Sequence, residues 1–244
     1  FGVIVCVFGI RAFNLQVVHG ATYADISENN VLRRSIIFAT RGVIYDRAGR
    51  ELAWNAPHDT ASSTDSYALR AYAEMPGLSH IVGFLQYPKA DADGNWWREV
   101  YSGISGAEAV FDDSLSGENG SRMIETDAHG AVQRTNIVTP PRDGTDLHLS
   151  IDADIQSTLY RQLSQHARSN RFDGGAAVIM DVRTGEIIAL TSFPEYDHAA
   201  FTDGDKTIVN QQSNSSSNLL LDRAVSGLYA PGSIVKPIFA AAAL

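Results

Sequence analysis

Two short apolar runs constrain the middle of this chain more tightly than any other feature. Ala176-Ala177-Val178-Ile179-Met180 and Ile187-Ile188-Ala189-Leu190-Thr191-Ser192 are of strand length, and Thr184-Gly185 supplies the turn between them. The pattern predicts an antiparallel β-hairpin. Upstream, Leu147, Leu149 and Ile151 alternate with His148, Ser150 and Asp152, as in a half-buried strand. Asp152 is then a candidate N-cap for a helix reaching about Arg168. Ile155, Leu159 and Leu163 recur every four residues in that helix, which predicts an apolar face turned to the core.

Residues 31–55 also read as strands. Val43-Ile44-Tyr45 and Glu51-Leu52-Ala53-Trp54 flank the turn cluster Asp46-Arg47-Ala48-Gly49, so a second hairpin is expected with Gly49 at positive φ. The polar stretches 56–66 and 202–218 predict surface loops. Asp91-Ala92-Asp93-Gly94-Asn95 predicts a turn before Trp96-Trp97; it lacks the ligand run and distal Glu of a calcium loop. Residues 103–144 are punctuated by glycine and end in Pro140-Pro141-Arg142-Asp143-Gly144, a domain boundary. The expected architecture is α+β in two domains.

A chain of 244 residues, 44% hydrophobic and 19% charged, is long enough to bury a core. A net charge of -9, with the basic residues scattered, argues against nucleic acid as a partner. Cys6 is the single cysteine, which excludes an internal disulfide and a CxxC zinc site, and the seven His show no metalloprotease spacing. Phe1–Ile10 is unbroken apolar sequence ending at Arg11. Ten helical residues rise roughly 15 Å, half of a ~30 Å hydrocarbon core. No small-residue cleavage site follows closely. Residues 1–18 are therefore read as the outer part of a membrane helix, with a buried helix as the alternative.

The chemistry is concentrated near Leu244. Tyr229-Ala230-Pro231-Gly232 turns into a helix in which only Ser233 and Lys236 are polar. A helix polar at two places is expected to be buried, and a buried Lys needs a reason. Positions i and i+3 share a helix face, so the Lys236 amine can reach the Ser233 hydroxyl. That amine can take the proton only if burial lowers its pKa from about 10.4 towards 7. The bland alternative is a helix start with Lys236 reaching into solvent.

In order along the chain, NLQVVHGATYADISENN, RGVIYDRAGRELAWN, HIVGFL, GISGAEAVFDDSLSG, TDLHLSIDADIQ, GGAAVIMDVRTGEIIALTSFPEYD and DRAVSGLYAPGSIVKP resemble the class B penicillin-binding proteins, most closely the elongation type. The resemblance implies a partial transmembrane helix (1–18), a mixed pedestal domain with a shortened head (19–143), and the first part of a transpeptidase domain, an antiparallel sheet flanked by helices (144–244). It implies a single-pass protein of the bacterial inner membrane, with its catalytic domain in the periplasm. The implied reaction is serine acyl transfer on peptidoglycan stem peptides ending in D-Ala-D-Ala. Ser233 is the nucleophile and β-lactam target, Lys236 the base, and no cofactor or metal is needed. SxxK is the known nucleophile signature of this family. Implied partners are a membrane glycan polymerase and the elongation machinery.

Arg41, Asp46 and Arg47 could make a functional contact, but a buried structural ion pair is the preferred reading. The family's SxN and KTG motifs are expected downstream of SxxK. Ser216-Ser217-Asn218 and Arg183-Thr184-Gly185 imitate them in the wrong order and are read as coincidences. The competing functional readings are a non-catalytic pedestal that activates a glycan polymerase and a β-lactam sensor.

Overall fold

A computed structural model describes residues 2–20, 31–56, 67–92, 94–126 and 132–243. The elements begin with helix α1 (Gly2–Phe13), a π-helical turn at Asn14–Val18, and strands β1 (Val31–Ile37), β2 (Ile44–Tyr45), β3 (Glu51–Ala56) and β4 (Leu69–Tyr72). Helix α2 (Ser79–Val82) and strands β5 (Leu85–Gln86), β6 (Lys89–Ala90), β7 (Trp96–Arg98) and β8 (Ser102–Gly103) follow. Next are helices α3 (Gly106–Val110) and α4 (Asp112–Ser116), then strands β9 (Gly120–Thr126), β10 (Val132–Thr139) and β11 (Leu147–His148). Helix α5 (Ala153–Ser169), strands β12 (Gly175–Met180) and β13 (Ile187–Phe193), and helices α6 (His198–Asp203) and α7 (Lys206–Ser213) lead to a 3-10 turn at Gly232–Val235 and helix α8 (Lys236–Ala242).

The chain divides into two compact units: 1–40, 59–67 and 117–143 in one, 41–58, 68–116 and 144–244 in the other. In the first, β9 lies between β1 and β10, antiparallel to both. Ile124 and Ser121 are buried, while β10 is exposed along its length. Among the described residues no helix is long and apolar enough to cross a membrane. Of the expected loop at 56–66, Ala56 is the last residue of β3 and 57–66 lie outside the described residues.

In the second unit the sheet order is β11-β2-β3-β4, with β11 parallel to β2 and the other pairs antiparallel. Ile44, Leu52, Ala53, Tyr72, Leu78, Val82, Ala107, Leu115 and Ala153 form its core. Gly49 closes the β2–β3 turn at φ +81, as its turn cluster requires. β12 and β13 form the expected antiparallel hairpin, with Gly185 at φ +79 in the turn.

Asp152 caps α5, its side chain accepting from the Asp154 and Ile155 N–H groups at 3.1 Å each. The buried face of α5 differs from the expected one. Ala153, Gln156, Ser157, Ser164 and Ala167 are inside, and Ile155 is 40% exposed. Hydrogen bonding sets this orientation: Gln156 donates to the Gly77 and Leu190 carbonyls and accepts from the Leu190 N–H at 2.8 Å. A buried amide with three partners outweighs an apolar stripe that covers itself on a surface groove with Ile179. A second correction concerns residues 202–218. Asp205 accepts from the Thr207 and Ile208 N–H groups, and so residues 206–213 form the helix α7 where a loop was expected.

Candidate active site

The segment leading to Ser233 is anchored at the end of β13. The Ser192 hydroxyl donates to the Leu221 carbonyl at 3.2 Å and accepts from the Arg223 N–H at 2.9 Å. The buried Arg223 guanidinium donates to the carbonyls of Ser217 (2.6 Å), Asn218 (3.3 Å) and Leu221 (3.4 Å). Five hydrogen bonds thus hold residues 217–223 in one shape before the chain turns towards Ser233. Sequence reasoning missed Arg223. Its only signal is a long cation between apolar and small residues in Leu221-Asp222-Arg223-Ala224-Val225.

At Gly232, φ is +58, a conformation that suits glycine at the mouth of a helix. Gly232–Val235 form a 3-10 turn in which the Lys236 N–H donates to the Ser233 carbonyl. Ser233 lies in this turn and Lys236 opens α8 three residues on, a spacing that puts two helical positions on one face. Pro237 occupies the first turn of α8, where its missing N–H costs nothing. The expected turn into a helix occurs here.

The expected burial does not. Ser233 and Lys236 are exposed, as are Ile234 (78%), Ile238 (70%) and Phe239 (68%). Among the described residues nothing covers this helix, so its apolar side chains face solvent and the Lys236 amine is not desolvated. The imitation motifs are accounted for elsewhere. Arg183-Thr184-Gly185 is the β12–β13 turn, with Arg183 paired to Asp181 at 3.2 Å. Ser216-Ser217-Asn218 is the turn held by Arg223.

The RGVIYDR and GISGAE blocks meet in a buried ion network. Arg41 donates through Nε to Glu108 Oε2 at 2.7 Å and through Nη2 to the Glu108 carbonyl at 2.9 Å; its Nη1 lies 2.7 Å from Asp112. Arg70 Nε donates to the other Glu108 oxygen at 2.7 Å. The side chains of Arg41, Arg70 and Glu108 are fully buried. Asp46 is also buried and accepts from the Ala48 and Arg50 N–H groups at 2.8 Å each. Arg47 reaches Glu186 at 3.9 Å on the surface. The expected buried structural ion pair is found at Arg41, whereas Asp46 is buried on backbone N–H groups and the Arg47 pair is exposed.

A second junction ties the FPEYD segment to residues 77–105. Glu195 accepts from the Gly77 N–H at 2.8 Å and the Ser79 N–H at 3.2 Å; burial pushes its carboxyl up, while these donors pull it down. The Tyr196 hydroxyl is pushed up to about 12 by burial, donates to the Ser79 carbonyl at 2.9 Å and sits 2.9 Å from the Ser105 hydroxyl.

Two family models match the chain. Residues 61–149 match the penicillin-binding protein dimerisation domain, and residues 175–244 match the penicillin binding protein transpeptidase domain. The chain belongs to the penicillin-binding proteins. It is 35% identical over 179 residues to Stage V sporulation protein D of Bacillus subtilis, covering 72% of this chain and 24% of that one. It is 32% identical over 289 residues to "Probable peptidoglycan D,D-transpeptidase PenA" of Neisseria meningitidis serogroup B, covering 96% and 48%. Peptidoglycan D,D-transpeptidase MrdA of Salmonella typhimurium is 24% identical over 324 residues, covering 100% and 51%. This penicillin-binding protein chain thus spans from a quarter to about half the length of these relatives. A chain in a solved peptidoglycan synthase complex, which coordinates polymerization and crosslinking, shares its fold with a TM-score of 0.62 at 23% identity, covering 92% of this chain and 50% of that one.

Proposed function

We propose that this chain is the part of a peptidoglycan D,D-transpeptidase that carries the pedestal and the nucleophile. Ser233 attacks the penultimate D-Ala carbonyl of a stem peptide and expels the terminal D-Ala. An amine of a neighbouring strand then resolves the acyl-enzyme into a cross-link. Lys236 takes the Ser233 proton and returns it to the leaving amine. β-Lactams acylate the same serine. The observation that carries the reading is Ser233 in a 3-10 turn with Lys236 three residues on at the start of α8, inside a segment matching the transpeptidase domain.

The activity requires a dry environment for the Lys236 amine, which folding of the complete enzyme around α8 would provide. We assign residues 1–18 to a membrane segment, 19–143 to the pedestal and 144–244 to the transpeptidase domain, anchored in the inner membrane and facing the periplasm. Its partners are a membrane glycan polymerase and the wall-elongation machinery. The elongation role rests on the resemblance of the ordered blocks, since the identities to sporulation, PenA and MrdA proteins do not rank one role above the others.

Labelling of the complete enzyme with a fluorescent penicillin is the test. Ser233→Ala abolishes labelling, and Lys236→Met slows it by a factor on the order of 100 to 10,000, the usual worth of a general base. Equal labelling of Ser233→Ala would remove the reading. The exposure of Lys236 favours one competitor, a non-catalytic pedestal. That protein would not be labelled even when complete.

A further inference from the structure

The β6–β7 hairpin pairs Lys89 directly with Arg98. Like charges facing each other across an antiparallel pair repel, so this register costs stability unless something neutralises it. Among the described residues neither cation has a carboxylate partner. That is unexpected in a chain with 28 acidic and 19 basic residues. Both cations sit over the Trp97 indole: Lys89 Nζ lies 5.8 Å and Arg98 Cζ 4.9 Å from the ring centroid. The ring is nonetheless 60% exposed. Arg98 Nη1 donates to the Tyr87 carbonyl at 3.5 Å, which holds the guanidinium in place. A largely exposed indole beside two cations without a carboxylate partner among the described residues is the recognition chemistry of a ligand that is flat, apolar on one face and negatively charged at its edges.

We propose that Trp97, Lys89 and Arg98 form a binding site for an anionic glycan strand, separate from the Ser233 segment. The indole takes the C–H face of one pyranose ring, and the two cations take carboxylates carried on the same polymer. Naming the polymer as uncross-linked peptidoglycan, whose stem peptides bear carboxylates, rests on the proposed function. A polymer fits better than an anionic bilayer. The platform is one ring wide, which suits a single strand and not an extended bilayer surface.

The test uses the 244-residue chain titrated with soluble uncross-linked peptidoglycan strands and followed by co-sedimentation. The expected result is saturable binding that weakens with added salt. Trp97→Ala and Lys89→Gln should each lower the affinity about tenfold. Lys89→Gln leaves the indole in place, so it tests the charge even where Trp97→Ala disturbs the hairpin. Strands with amidated carboxylates bind about tenfold more weakly than the free acids if the cations act as described. Unchanged affinity in Lys89→Gln, or equal affinity for neutral chitin oligosaccharides, overturns the proposal. So does binding to phosphatidylglycerol vesicles in place of the glycan. In the complete enzyme Lys89→Gln leaves fluorescent-penicillin labelling of Ser233 unchanged. Absent labelling in the unsubstituted enzyme would therefore sink the transpeptidase reading without touching the glycan-binding result.

Discussion

Glu108 lies between two guanidinium groups, one on each carboxylate oxygen, with no route to water. Its two partners come from the RGVIYDR block and from β4, so one side chain holds three segments together. Such a pair is weak evidence for net stability, but breaking it leaves buried charge uncompensated. Glu108→Ala is expected to cost about 3–5 kcal/mol, against less than about 1 kcal/mol for Arg47→Ala, whose pair with Glu186 is solvent-screened. Chemical unfolding of the two variants measures the contrast, and similar midpoints would refute it. The sequence reading recognised Arg41 as a buried structural cation but not its partners. Glu108 reads as one more acid among many, since its burial follows from the fold and from no local pattern.

His198 shows the same problem with a different consequence. Its ring packs 4.5 Å from that of Tyr72, and burial pushes its pKa down to about 4. The unfolded chain takes up the proton near pH 6.5, whereas the folded chain does so only near pH 4. Stability is therefore full above about pH 6.5 and is lost as the pH falls towards 4, by about 3 kcal/mol. Burial shifts His80 in the same direction. Glu195, pushed up, works in the opposite sense, its cost appearing as the pH rises through the usual carboxyl range. The unfolding free energy measured at pH 7.5 and pH 5 is expected to fall with acid and to fall less in His198→Phe. Identical slopes would exclude His198 as a source.

At the scale of elements, turn and cap chemistry was legible and facing was not. Asp152, Gly49 and Gly185 act through their own backbone neighbours, so their roles are written in a few adjacent residues. Asp152→Ala is accordingly expected to cost about 1 kcal/mol, read from the thermal midpoint, with Asp152→Asn restoring most of it. The direction in which α5 faces depends on Gln156 meeting Gly77 and Leu190, residues 79 and 34 positions away. No periodicity carries that information. The same applies to the glycines of HIVGFL and GISGAE. Gly83 and Gly106, at φ +81 and +59, approach so closely that a Cβ on Gly106 would lie 2.5 Å from the Gly83 nitrogen. Gly106→Ala thus meets both backbone strain and a clash that no flexible side chain can relieve.

For the whole molecule, large apolar side chains are exposed in several segments, among them α1, β10, β12 and the stretch around Ser233. Leu228, Ile234, Ile238 and Phe239 lie around Ser233, and Val178, Ile179 and Met180 lie along β12. Apolar surface exposed on this scale drives association unless something covers it. The same exposure leaves the Lys236 side chain in water and not in the dry interior that the proposed chemistry needs. Two outcomes are therefore coupled in the purified 244-residue chain. It binds a hydrophobic dye and self-associates in a concentration-dependent way under light scattering, and fluorescent penicillin does not label Ser233. Replacing Ile234 and Phe239 with Gln should reduce association without producing labelling, because it removes apolar surface and supplies no desolvation. Stoichiometric labelling of the chain by itself would show that Lys236 can act as a base while solvated, and the link drawn between burial and nucleophile activation would fail.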